Sequence, residues 1–96
     1  MRAYFFYAAG RMYDKSAGII ETDLADELIL LDPASGEMFS LNDTGRRVWR
    51  ALPAPSVGAL AGVLMETLEV DRETAEHDVA ALLERLVRAR LVSFGG

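Results

Sequence analysis

The apolar and polar positions of this chain fall into two periods. From Gly18 to Leu41 they read as short strands. From Asn42 to Arg90 they recur at helical spacing. Glu27–Asp32 (ELILLD) is apolar on both faces, Leu28 and Leu30 alternating with Ile29 and Leu31, which predicts a central, covered strand. Glu37–Leu41 (EMFSL) puts Met38 and Ser40 on one face and Phe39 and Leu41 on the other. Between them, Asp32 accepts a backbone bond, Pro33 presets φ and Gly36 supplies the left-handed closing residue of a tight turn. Gly18–Thr22 (GIIET) predicts a further strand, turned by Asp23–Asp26. The result is a meander with 27–32 in the middle and 37–41 on an edge.

Three helices should follow. The first starts at Asn42 or Asp43, ends before Pro53 and buries Val48, Trp49 and Leu52. The second is capped by Ser56, carries Val57, Leu60, Ala61, Leu64 and Leu68 on one stripe, and ends near Glu69. The third is capped by Asp71 and runs to about Arg90, with Ala75, Val79, Leu82, Leu83 and Leu86 as its stripe and Arg85, Arg88 and Arg90 complementing its C-terminal dipole. Leu91–Phe94 is an apolar tail with the makings of a last strand. The predicted class is α+β: a three-stranded antiparallel meander followed by a three-helix, winged helix-turn-helix-like bundle. Gly45, inside the first helix at a cost of about 1 kcal/mol against Ala, predicts a close approach by another element. Gly58 and Gly62 predict a close helix crossing.

Residues 1–15 differ from the rest. Tyr4, Phe5, Phe6, Tyr7 and Tyr13 are five of the eight aromatic residues. YFFYAA has strong strand propensity and no charge, so the segment is read as an extension that either covers its own core or pairs with a second copy in a homodimer. Residues 16–96 form the remaining domain.

Composition narrows the function classes. With 96 residues, 51% of them hydrophobic, a single domain is expected. There is no cysteine and one histidine, His77, which excludes disulfides, thiolate metal sites and multi-histidine sites. No apolar run approaches a membrane span and no signal peptide is apparent, so a cytoplasmic location with no membrane partner is expected. The net charge is −5, and Glu21–Asp43 holds seven acids and no Lys or Arg. Nucleic-acid binders carry a basic stripe, and this chain does not. A winged helix would insert its third helix into the major groove, but here that helix starts with Asp71, Glu73, Glu76 and Asp78 against Arg72 alone. No catalytic set emerges: His77 sits between Glu76 and Asp78, a solvated position. The edge strand carries the sharper reading. A peptide adds to 37–41 by main-chain hydrogen bonds and reads a groove against the third helix. One border row of that helix is Asp78, Leu82, Arg85 and Ala89; the other is Leu83 and Val87. The alternatives are a DNA-binding winged helix and a dimerising structural module built on YFFYAA.

LLDPASGEMFSLNDTGRRVW, followed by a short loop, an amphipathic helix, a Val-Asp cap and AEHDVAALLERLVRARLV, resembles the PqqD-like family, the RiPP precursor recognition elements. That family includes pyrroloquinoline quinone biosynthesis protein D and the stand-alone B proteins of lasso-peptide clusters. The resemblance spans about residues 16–94 and rests on Leu31-Asp32, Gly36, Phe39, Leu41-Asn42, Gly45, Trp49, Asp78-Val79 and Leu82-Leu83 in order. It implies three antiparallel strands and three helices. It also implies a non-catalytic chaperone, without cofactor or metal, that binds the leader of a ribosomally made precursor. The chaperone then presents that precursor to a radical-SAM enzyme, a protease or a cyclase. Carried onto this chain, the implied leader-binding residues are Glu37, Met38, Phe39, Ser40 and Leu41 on the strand and Asp78, Leu82, Arg85 and Leu86 on the helix. MRAYFFYAAGRMYD has no counterpart in the family pattern.

Overall fold

The computed structural model describes residues 11–95. Their order is β1 (Met12–Lys15), β2 (Ile20–Asp23), β3 (Leu28–Asp32), β4 (Glu37–Leu41), α1 (Asp43–Arg50), α2 (Val57–Thr67), α3 (Arg72–Arg88) and β5 (Val92–Gly95). β2, β3 and β4 form the expected antiparallel meander with β3 central. The first of these strands starts and ends slightly later than expected, and α2 and α3 stop two residues short of the expected ends. Gly36 has φ +78° and donates to the Asp32 carbonyl at 2.7 Å, while Asp32 Oδ1 accepts from Ala34 N–H at 2.9 Å. Each residue of the turn thus does what its type allows.

The helices are capped as their sequences require. Asn42 Oδ1 accepts from Gly45 N–H at 2.9 Å, Ser56 Oγ from Ala59 N–H at 3.0 Å, and Asp71 Oδ1 from Thr74 N–H at 2.7 Å. The bond from Thr74 holds the Asp71 carboxyl below its ordinary pKa. α3 ends where Arg90 turns left-handed at φ 65°. The predicted stripes meet in one core: Leu28, Leu30 and Leu41 from the sheet, Val48, Trp49 and Leu52 from around α1, Leu60, Ala61 and Leu64 from α2, and Ala75, Val79, Leu83 and Leu86 from α3. Leu82 packs against its margin.

A second, two-stranded sheet joins the first and last strands of the described residues. β1 pairs antiparallel with β5, Met12 opposite Gly95 and Lys15 opposite Val92, and Tyr13 exchanges both backbone bonds with Ala54. Tyr13 packs at a tilt against Phe94 with centroids 4.5 Å apart, and Arg11 lies over the same ring. Residues 12–15 of the extension are therefore a strand on the helical layer. Lys15 reaches across to Glu21 at 3.5 Å and over the Trp49 ring, linking this sheet to the meander. The aromatic run Tyr4–Tyr7 and its suggested pairing with a second copy lie outside the described residues.

Two expectations are corrected. β3 is central but fully buried on one face only: Leu28 and Leu30 are buried, whereas Ile29 and Leu31 on the opposite face are only partly buried. An apolar residue in a strand need not have a partner layer inside the same chain. The Gly58–Gly62 spacing marks no helix crossing at Gly62, where a Cβ would meet nothing within 4 Å. The close approach expected at Gly45 is present: a Cβ there would lie 3.2 Å from Leu41 Cβ, at the end of β4. A Cβ at 45 would require the Leu41 side chain to give way by a few tenths of an ångström.

Candidate functional site

The site is built on β4, which pairs with β3 on its inner edge and with no strand among the described residues on its outer one. β3 bonds to its inner edge, Leu28 opposite Leu41, Leu30 opposite Phe39 and Asp32 opposite Glu37. The parity of the ladder follows from the turns. Leu24 N–H donates to the Glu27 carbonyl, so on β3 the backbone groups of Ile29 and Leu31 face β2 and those of Leu28, Leu30 and Asp32 face β4. On β4 the groups of Glu37, Phe39 and Leu41 therefore turn inward. Those of Met38 and Ser40 turn outward, and no strand among the described residues pairs with them.

Beside the end of this edge lies an open groove of about 670 Å³. Ser40 and Leu41 form one wall with Asn42, Thr44 and Gly45 at the start of α1, and His77, Asp78, Ala81, Leu82 and Arg85 of α3 form the other. Asp26 and Glu27, from the β2–β3 turn, stand at its mouth. The helical spacing of 78, 81, 82 and 85 puts these residues on one face of α3, so the row with Asp78, Leu82 and Arg85 fronts the groove. Leu83, on the other row, is in the core, and Val87 is exposed away from the groove lining.

The nine residues singled out from the sequence separate accordingly. Ser40, Leu41, Asp78, Leu82 and Arg85 line the groove. Glu37 and Met38 are exposed along the free edge, and Phe39 packs against the core face. Leu86 is a correction: it is one position, about 100° of helix, beyond Arg85, is fully buried in the core, and presents no surface to a ligand. Sequence reasoning missed Asp26, Glu27, Thr44 and Ala81, and set His77 aside as solvated. Asp26 and Glu27 reach the groove only because the β2–β3 turn folds over it, and Thr44 only because α1 begins without a spacer after β4.

Polar contacts hold this corner together. Ser40 Oγ donates to Glu27 Oε1 at 2.6 Å, tying the edge strand to the turn. Arg46 donates to Asp23 Oδ1 at 2.9 Å, to the Leu24 carbonyl at 3.0 Å and to Asp43 Oδ1 at 2.7 Å. Arg50 also donates to Asp23, and Arg47 to Asp43 at 2.9 Å. These guanidinium groups hold the carboxyls of Asp23 and Asp43 below their ordinary pKa, the bond from Arg46 being the largest cause for each. A carboxylate whose folded pKa is depressed contributes stability that is fully present above its unfolded value, about 3.9, and is lost as pH falls through the folded value. The urea midpoint should therefore fall as pH drops from 6 towards 3. Arg46→Met should lower the midpoint at pH 6 and flatten this dependence. An Arg46→Met variant with the wild-type pH profile would show that the cluster is not the acid-labile element.

Among the described residues, Asp26, Asp78 and Arg85 have no ion-pair partner, so the groove offers both signs of charge to a ligand. No helix among these residues is long and apolar enough to cross a membrane.

An antiparallel meander whose β4 edge is set beside a groove against the third helix is an arrangement that can accept an added peptide strand. Residues 27–92 match the family described as Coenzyme PQQ synthesis protein D (PqqD), and this chain belongs to that family. Two solved structures share the fold. "TbiB1 in Complex with the TbiA(beta) Leader Peptide" is 25% identical, with a TM-score of 0.74 over 83% of this chain and 94% of that one. "Lasso peptide synthetase B1 complexed with the leader peptide" is 28% identical, with a TM-score of 0.70 over 84% of this chain and 96% of that one. No curated protein sequence matches the chain.

Proposed function

We propose that this protein is a non-catalytic peptide chaperone. It binds the leader of a ribosomally synthesised precursor by strand addition to β4 and presents that precursor to a maturation enzyme. The observation that carries this reading is the free edge of β4, with the backbone groups of Met38 and Ser40 directed outward beside the α3 groove. It is supported by the two solved relatives, each named as a complex with a leader peptide. Main-chain bonds supply affinity, and side chains alternating into the groove supply selectivity. No chemistry is assigned to the chain itself. A protein in this role works in the cytoplasm, where the precursor is made.

Fluorescence anisotropy of the labelled leader from a neighbouring precursor gene, titrated with the full chain, tests the reading against a DNA duplex control. Saturable binding at micromolar concentration or tighter, to the leader alone, is expected. Binding to the duplex instead, falling steeply with salt, would replace this reading with the winged-helix one. Arg85 stands exposed on the helix wall with no carboxylate partner among the described residues, so Arg85→Glu tests that wall without disturbing the core. The expected loss is about three- to tenfold in leader affinity, in keeping with one charged contact at a partly solvated site. Unchanged affinity would remove Arg85 from the site.

A further inference from the structure

The face of the meander turned away from the helices carries a row of apolar side chains, several of them exposed. Ladder parity places Ile20, Leu24, Ile29, Leu31 and Met38 on it, with Ile20, Leu31 and Met38 directly opposite one another across all three strands. Ile20 is 49% exposed, Leu24 47% and Met38 65%, so this one face holds three of the six large apolar side chains exposed among the described residues. The polar positions between them are Thr22, Ser40 and Glu27, and the last two are bonded to each other. A contiguous apolar face spanning a whole sheet marks an interaction surface rather than scattered exposure.

We infer that this face is the docking surface for the maturation enzyme, with the bound leader forming part of the same surface. The inference rests on the leader-binding reading above. Two observations choose this occupant. Met38 and Ser40 turn their backbone groups to the free edge and their side chains to this face. A strand added at that edge widens the face by one row, so a protein seated here touches the chaperone and its cargo together. A partner that must engage the loaded complex gains discrimination from that continuity. The second observation is charge. Of the seven acids between Glu21 and Asp43, Asp23 and Asp43 are neutralised by Arg46, Arg47 and Arg50. Asp26 and Glu27, at the end of the sheet where Leu24 lies, form no ion pair among the described residues, whereas Asp32 and Glu37 share the helix-side parity of Leu30 and Phe39. The matching surface is an apolar centre with Lys and Arg at that end, which also speeds encounter.

The test uses the double variant Ile20→Lys/Leu24→Lys, two strand positions away from the leader edge. Leader affinity is measured by anisotropy, and binding of the leader-loaded protein to the purified maturation enzyme encoded beside its gene is measured by biolayer interferometry. The expected result is leader affinity within about twofold of wild type, which also certifies the fold, and enzyme affinity at least about tenfold weaker. Wild-type enzyme affinity in a variant that still binds leader would overturn the assignment. So would loss of leader affinity in the variant, which would give this face to the leader. A wild-type dimer in sedimentation that the variant abolishes, with enzyme affinity unaltered, would give the face to a second copy and overturn it as well. Failure of the wild-type chain to bind any leader is a different outcome and refutes the underlying reading.

Discussion

Ser40→Pro lowers leader affinity by at least about tenfold, roughly 1.4 kcal/mol, and leaves the protein folded. The two halves of this expectation have separate causes. Ser40 lies opposite Ile29 at a position where neither residue bonds across the β3–β4 ladder. Its N–H is directed to the free edge, so proline there removes no internal hydrogen bond, and edge strands accept proline. The preceding residue, Phe39, is already extended, as a residue before proline needs to be. An added strand, by contrast, loses a donor and keeps a carbonyl with no partner. A lost bond that strands a desolvated acceptor costs about 1–3 kcal/mol. Ser40→Ala separates the backbone from the side chain: it keeps the N–H and removes only the 2.6 Å bond to Glu27. Its leader affinity should stay within about threefold of wild type. Anisotropy on all three proteins, with circular dichroism to verify folding, decides the matter. A folded Ser40→Pro variant that binds leader as tightly as wild type would move the peptide to another surface.

The second large effect concerns stability. Trp49→Ala should cost about 3–5 kcal/mol, the usual range for removing a large buried aromatic. Trp49 is completely buried at the centre of the core, with the ammonium of Lys15 5.2 Å from its ring centroid. A domain of this size has on the order of 5–10 kcal/mol in total, so the variant should be largely unfolded or close to it. Urea denaturation followed by far-ultraviolet circular dichroism measures it. Trp49→Phe is the informative companion. It keeps most of the apolar volume and deletes Nε1, which is buried without a hydrogen-bond partner among the described residues. Its loss should be well below that of Trp49→Ala, because a buried donor that bonds to nothing costs free energy in the native state. Equal losses for the two variants would show that the exact shape of the indole, and not its volume, sets the stability.

Both predictions draw on features of different legibility. The turn at Asp32–Gly36, the three caps and the helix stripes were readable because each depends on residues within a few positions of one another. Asn42 and Gly45 form a cap whatever the rest of the chain does. The edge strand was readable from alternation, and its placement from the number of strands. Leu86 was misread for a related reason. It lies beside Arg85 in sequence, but a helix turns about 100° per residue, and only the packed bundle shows which flank of the stripe is sealed. The same limit hid the contribution of Asp26 and Glu27, whose route to the groove runs through Arg46 bridging the β2–β3 turn to α1.

Sequence alone therefore determined the local devices of this protein: its turn, its caps, its order of strands and helices, and the strand left at the edge. These follow from dihedral preferences and from periods of two and 3.6, which act over short stretches of chain. Only the tertiary structure decided which row of α3 fronts the groove, and that β1 pairs with β5. It also decided that the outer-face residues of β3, Ile29 and Leu31, stay only partly buried while Leu28 and Leu30 enter the core. Those outcomes depend on which surfaces meet across long separations in sequence. Burial is settled by the whole packed arrangement, so an apolar side chain does not reveal whether its partner is its own core or another protein.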